Sequence, residues 1–464
     1  MSPPPNILRY ETLIEDAGDA EVAEYRRRSK EVGGDRLATI IYTSGTTGEP
    51  KGVMLSHANL SSNALDALEE FDLCPSDPAL SFLPLAHVFE RTADYTFLFH
   101  RISVAYVDQV ETVAQALLEV HPTIPAAIPR FFGKMYANIL ERGHQETGLR
   151  RRIFAWALRA AEKAERWRVY GKGVSLGVRL QWRIANSLVY SKVRAGLGGR
   201  IRVFCSGGGP LAPELWTFFW SLGVPVYEGY GLTDTSPVVM ENRPGAHRIS
   251  TVSRPIPNVD VRIAVDGEIL VKTLCAMQGY YNKPKDTDQV FTSDGWFCTG
   301  NIGRLDEDGY LIITDRKREL IKTAAGKLVA PAPIGKMLKT SQFIANAIVV
   351  GDKRKFICAL IGPNSAALEI EALKNGRKLA PPERVITDPW ARNFYAREVE
   401  RFTAGFALYE KPKRFALLDE DFTFARGELT YTLKMTRRIV EQRYQEVIAR
   451  HYADVQDPRP HLMA

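Results

Sequence analysis

The sequence predicts an α/β fold, and three stretches carry that prediction. LATIIYTS (Leu37 to Ser44) is apolar and β-branched, so it reads as a buried strand. A polar loop follows, then a second strand in GVMLSH and a helix through ALDALEEF, with Ser56 or Asn59 as its N-cap. IRVFCS (Ile201 to Ser206) reads as another strand, running into three glycines, a Pro-started helix and the strand VPVYEGY. Beyond Glu319, apolar strands such as NAIVVGD and FICALIGP alternate with charged helices. Ligands in open α/β sheets sit where strands end in such loops.

A chain of 464 residues buries a large core and exceeds one typical domain. Its 45% hydrophobic and 25% charged residues are ordinary for a globular protein. No apolar stretch approaches a membrane span, and MSPPPNILRY lacks the basic flank and apolar run of a signal peptide. Cys74, Cys205, Cys275, Cys298 and Cys358 lie far apart with no C-x-x-C pair, which fits a reducing cytoplasm rather than a disulfide framework or zinc site.

The net charge of +7 is partly local: Arg150 to Arg202 holds fourteen Lys/Arg against Glu162 and Glu165, with Trp156, Trp167, Trp182 and Tyr190 interleaved. Two readings stand: a solvated helical face whose aromatics pack inward, or a peripheral contact with the anionic inner face of a membrane. No nucleic-acid module accompanies the charge, so no nucleic-acid partner is expected.

The loop between the first two strands is built of donors. Gly45, Gly48 and Gly52 let the backbone fold tightly, Thr43, Ser44, Thr46 and Thr47 add hydroxyls, and Lys51 adds a charge. Such a concavity suits phosphate oxygens. It is not a Walker A loop, because G-x-x-x-x-G-K-[ST] cannot be laid on it. As an intact string, YTSGTTGEPKG resembles the phosphate-binding signature of the AMP-forming acyl-CoA synthetase, adenylation-domain and luciferase superfamily.

Further stretches extend the resemblance. LPLAHVFERT resembles the segment that long-chain fatty-acyl-CoA synthetases place beside the acyl pocket, where His87 either orients the carboxylate and gates the pocket or is a buried, hydrogen-bonded histidine. IPRFFGKMY and the basic insert after it look like the same long-chain branch. In CSGGGPLAP and YEGYGLTDTSP the resemblance implies that Gly207, Gly208, Glu228, Gly229 and Tyr230 line the adenine and ribose, with Tyr230 stacked on the base and Thr233 on phosphate. DGWFCTGNIG and DRKRELIKTAAGK put Asn301, Arg316 and Lys322 at the nucleotide and Arg318 at a hinge. GELTYTLKMTRR puts Lys434 at the position of the adenylating lysine.

The implied architecture is a large N-terminal domain of twisted sheets flanked by helices (residues 1–317) and a smaller, mobile C-terminal α+β domain (319–464). The implied chemistry is ATP-dependent adenylation of a fatty acid, with Mg²⁺ held by Thr43 and Asp234, then transfer to coenzyme A. The family carries more chain ahead of the phosphate loop than the roughly forty residues present here, so the N-terminal portion is expected to be shortened. Asn301 stands where the family has an acid, Asp234 where it has a glutamate, Ala325 and Thr273 where it has glycines, and Tyr431 where it has a proline. Two other readings stay open: a degenerate relative that binds nucleotide or acyl chains with little turnover, and an adenylating enzyme with a carrier-protein acceptor.

Overall fold

A computed structural model describes residues 18–43, 50–377, 388–423, 425–429 and 435–453. The chain falls into two compact units, Met1–Asp260 with Val271–Phe297, and Val261–Leu270 with Cys298–Ala464.

The first unit is organised on a seven-stranded sheet. In spatial order its strands are Val104–Tyr106, Ala79–Ser81, Ile124–Ala127, Phe204–Ser206, Val226–Gly231, Val238–Glu241 and Arg254–Pro255. The first five run parallel, and the last two pairings, of Val238–Glu241 with its neighbours on either side, are antiparallel. Short, apolar, doubly buried strands such as Ile124–Ala127 belong in a parallel sheet covered on both faces. Helices cover it: Phe132, Phe204, Trp216 and Phe219 are almost wholly buried in one core, each worth about 1.5–3 kcal/mol of transfer free energy. Asp77 staples the sheet end. Its carboxylate takes Arg202 Nε at 2.8 Å and Nη2 at 2.5 Å, the Thr123 hydroxyl at 2.8 Å and the Cys74 N–H at 3.0 Å. The guanidinium holds the carboxyl well below the usual range.

Beside that sheet, Leu37–Thr43 and Lys51–Ser56 pair as an antiparallel hairpin, and Gly279–Tyr280 adds a third strand. Leu37–Thr43 is a strand as expected but not a buried one, because it lies at the sheet edge with only Ile41 buried. The following helix starts earlier than ALDALEEF, at His57, because Ser56 and Asn59 form a reciprocal capping box.

The basic segment is helical. Gly148–Tyr170 ends on Gly171 at φ +64°, and Leu176–Ala185 packs back on it through Ala157, Ala160 and Ala161. Its aromatics turn inward: Tyr190 is fully buried and donates to the Ala157 carbonyl at 2.5 Å, while Arg168 lies 4.4 Å from the Trp182 ring centre. One face stays bare. Leu176, Leu180, Ile184 and Leu188, at four-residue spacing, are 82%, 59%, 45% and 43% exposed. Among the described residues, no helix is long and apolar enough to cross a membrane.

In the second unit Phe297–Leu305 and Leu311–Arg316 are antiparallel, and Ile344–Val350, Cys358–Pro363 and Arg414–Leu417 form a three-stranded sheet backed by helices Pro331–Leu338 and Pro389–Thr403.

Candidate active site

The hairpin closes on the pair Thr43–Lys51, with the Thr43 hydroxyl donating to the Lys51 carbonyl at 3.5 Å. Ser44, Gly45, Thr46, Thr47 and Gly48 lie outside the described residues. Lys51 is only 7% exposed. Its Nζ sits 2.6 Å from Asp286 Oδ1 and 4.8 Å from the centre of the Tyr280 ring. Tyr280 arrives there because the third strand sets it opposite Val53. Its hydroxyl donates to Asp234 Oδ1 at 2.6 Å. Burial pushes the Asp234 carboxyl up, against the pull of the Tyr280 hydroxyl and the Lys51 charge. Lys51, Tyr280, Asp234 and Asp286 are thus one polar cluster at the base of the loop, with Lys51 buried and the other three half-buried.

The glycine-rich strand ends lie on the same unit. Gly207 donates its N–H to the Ala127 carbonyl at 3.1 Å, and a Cβ there would stand 2.7 Å from the Phe89 ring. Gly208 has φ +77°, which only glycine adopts cheaply. Glu228 is buried and its Oε1 accepts the Leu211 N–H at 2.9 Å, so the carboxylate braces the glycine loop. Gly229 and Tyr230 stand opposite Glu241 and Met240, with the Tyr230 ring buried. At Gly231 a Cβ would strike the Pro237 carbonyl oxygen. Thr233 and Asp234 sit in the single turn Thr233–Thr235, fixed by the Thr235 hydroxyl donating to the Pro237 carbonyl at 2.7 Å. The Thr92 hydroxyl ties the neighbouring helix Val88–Phe99 to this turn by donating to the Ser236 carbonyl at 2.9 Å.

His87 is exposed and caps that helix, its Nδ1 accepting the Phe89 N–H at 3.2 Å. The reading of a buried histidine is therefore set aside. The buried ionisable group of LPLAHVFERT is Glu90, 1% exposed, whose Oε1 accepts the Phe82 N–H at 2.9 Å and the Leu83 N–H at 3.3 Å. Burial pushes its carboxyl up to about 7.

In the second unit, Asn301 and Arg316 are register partners on adjacent strands. The Asn301 amide donates to the Thr299 carbonyl at 3.3 Å, and the Arg316 guanidinium is half-exposed, 3.8 Å from Glu319. Arg318 lies in the turn Lys317–Glu319; its side chain is outside the described residues. Lys322 is exposed and donates its backbone N–H to Asp352 Oδ1 at 3.0 Å. Lys434 and Tyr431 also lie outside the described residues, but the chain on either side is pinned. Leu429 bridges Met435, and the Thr436 N–H donates to the Glu428 carbonyl at 2.8 Å. Glu428 itself is fully buried on Arg426 at 2.8 Å and Tyr444 at 3.1 Å.

The profile of the AMP-binding enzyme family matches residues 3–281, and that of the AMP-binding enzyme C-terminal domain matches residues 318–381. The chain belongs to the AMP-binding enzyme family. It is 36% identical over 447 residues to the long-chain-fatty-acid–CoA ligase FadD15 of Mycobacterium bovis, covering 95% of this chain and 73% of that one. It is 31% identical to the long-chain-fatty-acid–CoA ligase ACSBG2 of Gallus gallus, covering 96% and 62%. Among solved structures, ATP-bound MatB from Rhodopseudomonas palustris is similar at TM-score 0.63 and 22% identity, covering 89% of this chain and 69% of that one. MenE from Bacillus subtilis, in complex with ATP and magnesium ion, is similar at TM-score 0.61 and 22% identity, covering 88% and 70%. The fold of this AMP-binding enzyme is that of the adenylate-forming enzymes.

Two residues of the cluster, Tyr280 and Asp286, were not among the candidates the sequence offered. No motif marks them; their role comes from a strand that pairs more than two hundred residues after the hairpin it joins.

Proposed function

We propose that this AMP-binding enzyme is a long-chain fatty acid–CoA ligase that activates its acid as an acyl-adenylate. The single observation that carries the reading in the structure is the Lys51–Tyr280–Asp234 cluster, built on the buried Lys51, at the base of the hydroxyl-rich loop. A buried lysine and a half-buried carboxylate in one cluster suit the leaving phosphates of ATP, and the carboxylate would help hold a cation there. The relatives named as long-chain-fatty-acid–CoA ligases support the acid and the acceptor.

Mg²⁺ fits the donors present. Among the described residues no three His, Cys, Asp or Glu gather, yet Mg²⁺ is commonly held by one or two carboxylates plus substrate phosphates. Asp234 and the Thr43 hydroxyl are oxygen donors of that kind and would hold the ion. The ion supplies neutralisation of phosphate charge. Lys51 and the loop Ser44–Gly48 hold the departing pyrophosphate, while Thr233 contacts the α-phosphate. Gly207, Gly208, Glu228, Gly229 and Tyr230 form the adenine wall; Asn301, Arg316 and Lys322 serve the ribose side. The fatty carboxylate, oriented beside His87, attacks the α-phosphorus, and the bond to pyrophosphate breaks. Lys434 stabilises charge on the acyl and phosphoryl oxygens. The smaller domain then turns about Arg318, and the coenzyme A thiol, losing its proton, attacks the acyl carbon and releases AMP. Catalysis of this kind is chiefly positioning and electrostatic stabilisation.

We place the enzyme in the cytoplasm, in peripheral contact with an anionic membrane face through the Arg150 to Arg202 segment. The bare Leu176, Leu180, Ile184 and Leu188 stripe beside Arg179 and Arg183 supports that contact. The test of activity is palmitate-dependent exchange of labelled pyrophosphate into ATP, with Mg²⁺ and without coenzyme A. Exchange above the acid-free blank is expected, followed by palmitoyl thioester on adding coenzyme A; a folded sample with no exchange overturns the proposal.

A further inference from the structure

The first unit holds a second recess, built by other residues. Helices Pro129–Gln145 and Gly148–Tyr170, the segment Asn186–Ala195 and the helix Val113–Val120 surround a cavity of about 700 Å³, inside the ~300–1,000 Å³ typical of small-molecule sites. Its walls are apolar: Met135, Ile139, Phe154, Leu188, Val189 and Val193 contribute. Gly143 permits the geometry, because a Cβ there would strike the Phe154 ring where the two long helices meet. None of the positions assigned to nucleotide or catalysis lines the recess.

Its rim is cationic. Lys134, Arg142, Arg150 and Lys192 border it, against Glu111 and Glu146, and Glu146 is already engaged by Arg150 at 3.8 Å. Lys134, Arg142 and Lys192 are exposed and form no ion pair with another described residue. An apolar trough with an unneutralised positive edge complements a molecule with an alkyl tail and one anionic head. A nucleotide would leave the trough unfilled, and a neutral lipid would leave the rim unpaired.

We propose that this recess is an accessory site for a long-chain fatty carboxylate, tail in the trough and head at the Arg142–Lys192 rim, separate from the place of activation. The ligase reading enters only in choosing a carboxylate as the head. Leu188 belongs both to the recess and to the bare apolar stripe, so the mouth opens beside the surface along which a tail slides without crossing water.

The experiment uses the full chain without ATP or coenzyme A and a palmitate analogue carrying a photoreactive diazirine at its far end. Peptide mapping reads where the tail lies. The expected result is labelling on Pro129–Gln145, Gly148–Tyr170 or Asn186–Ala195, competed by palmitate and poorly by hexadecanol. Val189→Trp, which fills the trough, should abolish the label. Should that variant fold badly, the surface pair Arg142→Glu and Lys192→Glu should weaken palmitate competition severalfold at unchanged melting temperature. Labelling confined to other segments overturns the proposal, as does competition by hexadecanol equal to that by palmitate. Label that appears only with anionic phosphatidylglycerol vesicles, and resists free palmitate, also overturns it in favour of a membrane contact. Val189→Trp abolishing pyrophosphate exchange at saturating palmitate would make the recess part of the activating pocket, against the proposal. Absent exchange with labelling intact would instead remove only the ligase reading.

Discussion

Replacing Asp286 by asparagine should make the protein less stable and its grip on ATP tighter. Lys51 Nζ and Asp286 Oδ1 are 2.6 Å apart, with side-chain exposures of 9% and 36%. Coulomb's law gives about 6 kcal/mol for such a pair at an effective dielectric near 20. Asp286 is partly solvated, and asparagine retains a neutral hydrogen bond, so the net loss of stability is about 1–3 kcal/mol. The Tyr280 ring, 4.8 Å from the ammonium, still faces it in the variant. Binding of the phosphates requires Lys51 to leave Asp286, so the carboxylate acts as a competitor for the same charge. Removing it should tighten ATP several-fold; a tenfold gain would appear as about 1.4 kcal/mol of extra ligand-dependent stabilisation at saturation. The assay is a thermal melt with and without Mg²⁺-ATP. Asp286→Asn should melt lower alone and gain more on adding ATP than the natural chain, and Lys51→Met should gain least. If ATP stabilises the natural chain as much as the variant, the carboxylate does not compete for Lys51 and the reasoning fails.

Glu90, buried with its carboxyl raised to about 7, contributes stability in its protonated form that is present below the unfolded value and lost as pH rises through about 7, on the order of 3 kcal/mol in all. Glu90→Gln should flatten the fall in melting temperature between pH 5 and pH 8; an unchanged slope would assign that dependence elsewhere. Asp77 has the opposite sign: held low by Arg202, it stabilises above the ordinary carboxylate range and loses that contribution as pH falls through its folded value. Asp77→Asn should cost about 1–3 kcal/mol at neutral pH, because it removes the charge opposite a part-exposed Arg202 that still bonds the Phe71 and Asp72 carbonyls. Urea denaturation reads that loss, and the variant should shrink the acid sensitivity. Asn301→Asp, beside Arg316, should tighten AMP by about 1–3 kcal/mol if the pair addresses the ribose hydroxyls; calorimetric titration showing no change would remove Asn301 from the nucleotide set.

Local chemistry was readable wherever a pattern is local. The hairpin strands, the capping Ser56, the helix opening on Pro213 and the strands of the second unit follow from β-branched runs, an Ser-x-x-Asn box and proline position. The inward turn of the aromatics in the basic segment was likewise readable, since arginines at helical spacing leave a second face for Trp182 and Tyr190. What the sequence hid was contact between distant segments. Tyr280 and Asp286 sit in an unremarkable stretch, GYYNKPKD, and only strand pairing brings them onto Asp234 and Lys51. Nothing in the sequence singled out Glu90, and the two backbone N–H groups that claim it belong to Phe82 and Leu83, eight and seven residues earlier, just past a strand end.

The contact of Phe89 with Gly207 has a consequence for how this enzyme adapts. The ring belongs to the segment after His87, and the glycine belongs to the loop proposed to line the adenine; a single methyl group at Gly207 would press into that ring. Under the proposed assignment, one contact would border both the acid and the nucleotide. A substitution selected for a different acid will shift the nucleotide side as well, so variants chosen for new substrates should first show altered affinity for ATP, and paired changes at both positions should outperform either alone. On that assignment, specificity and nucleotide grip would be inherited together, as a linked trait.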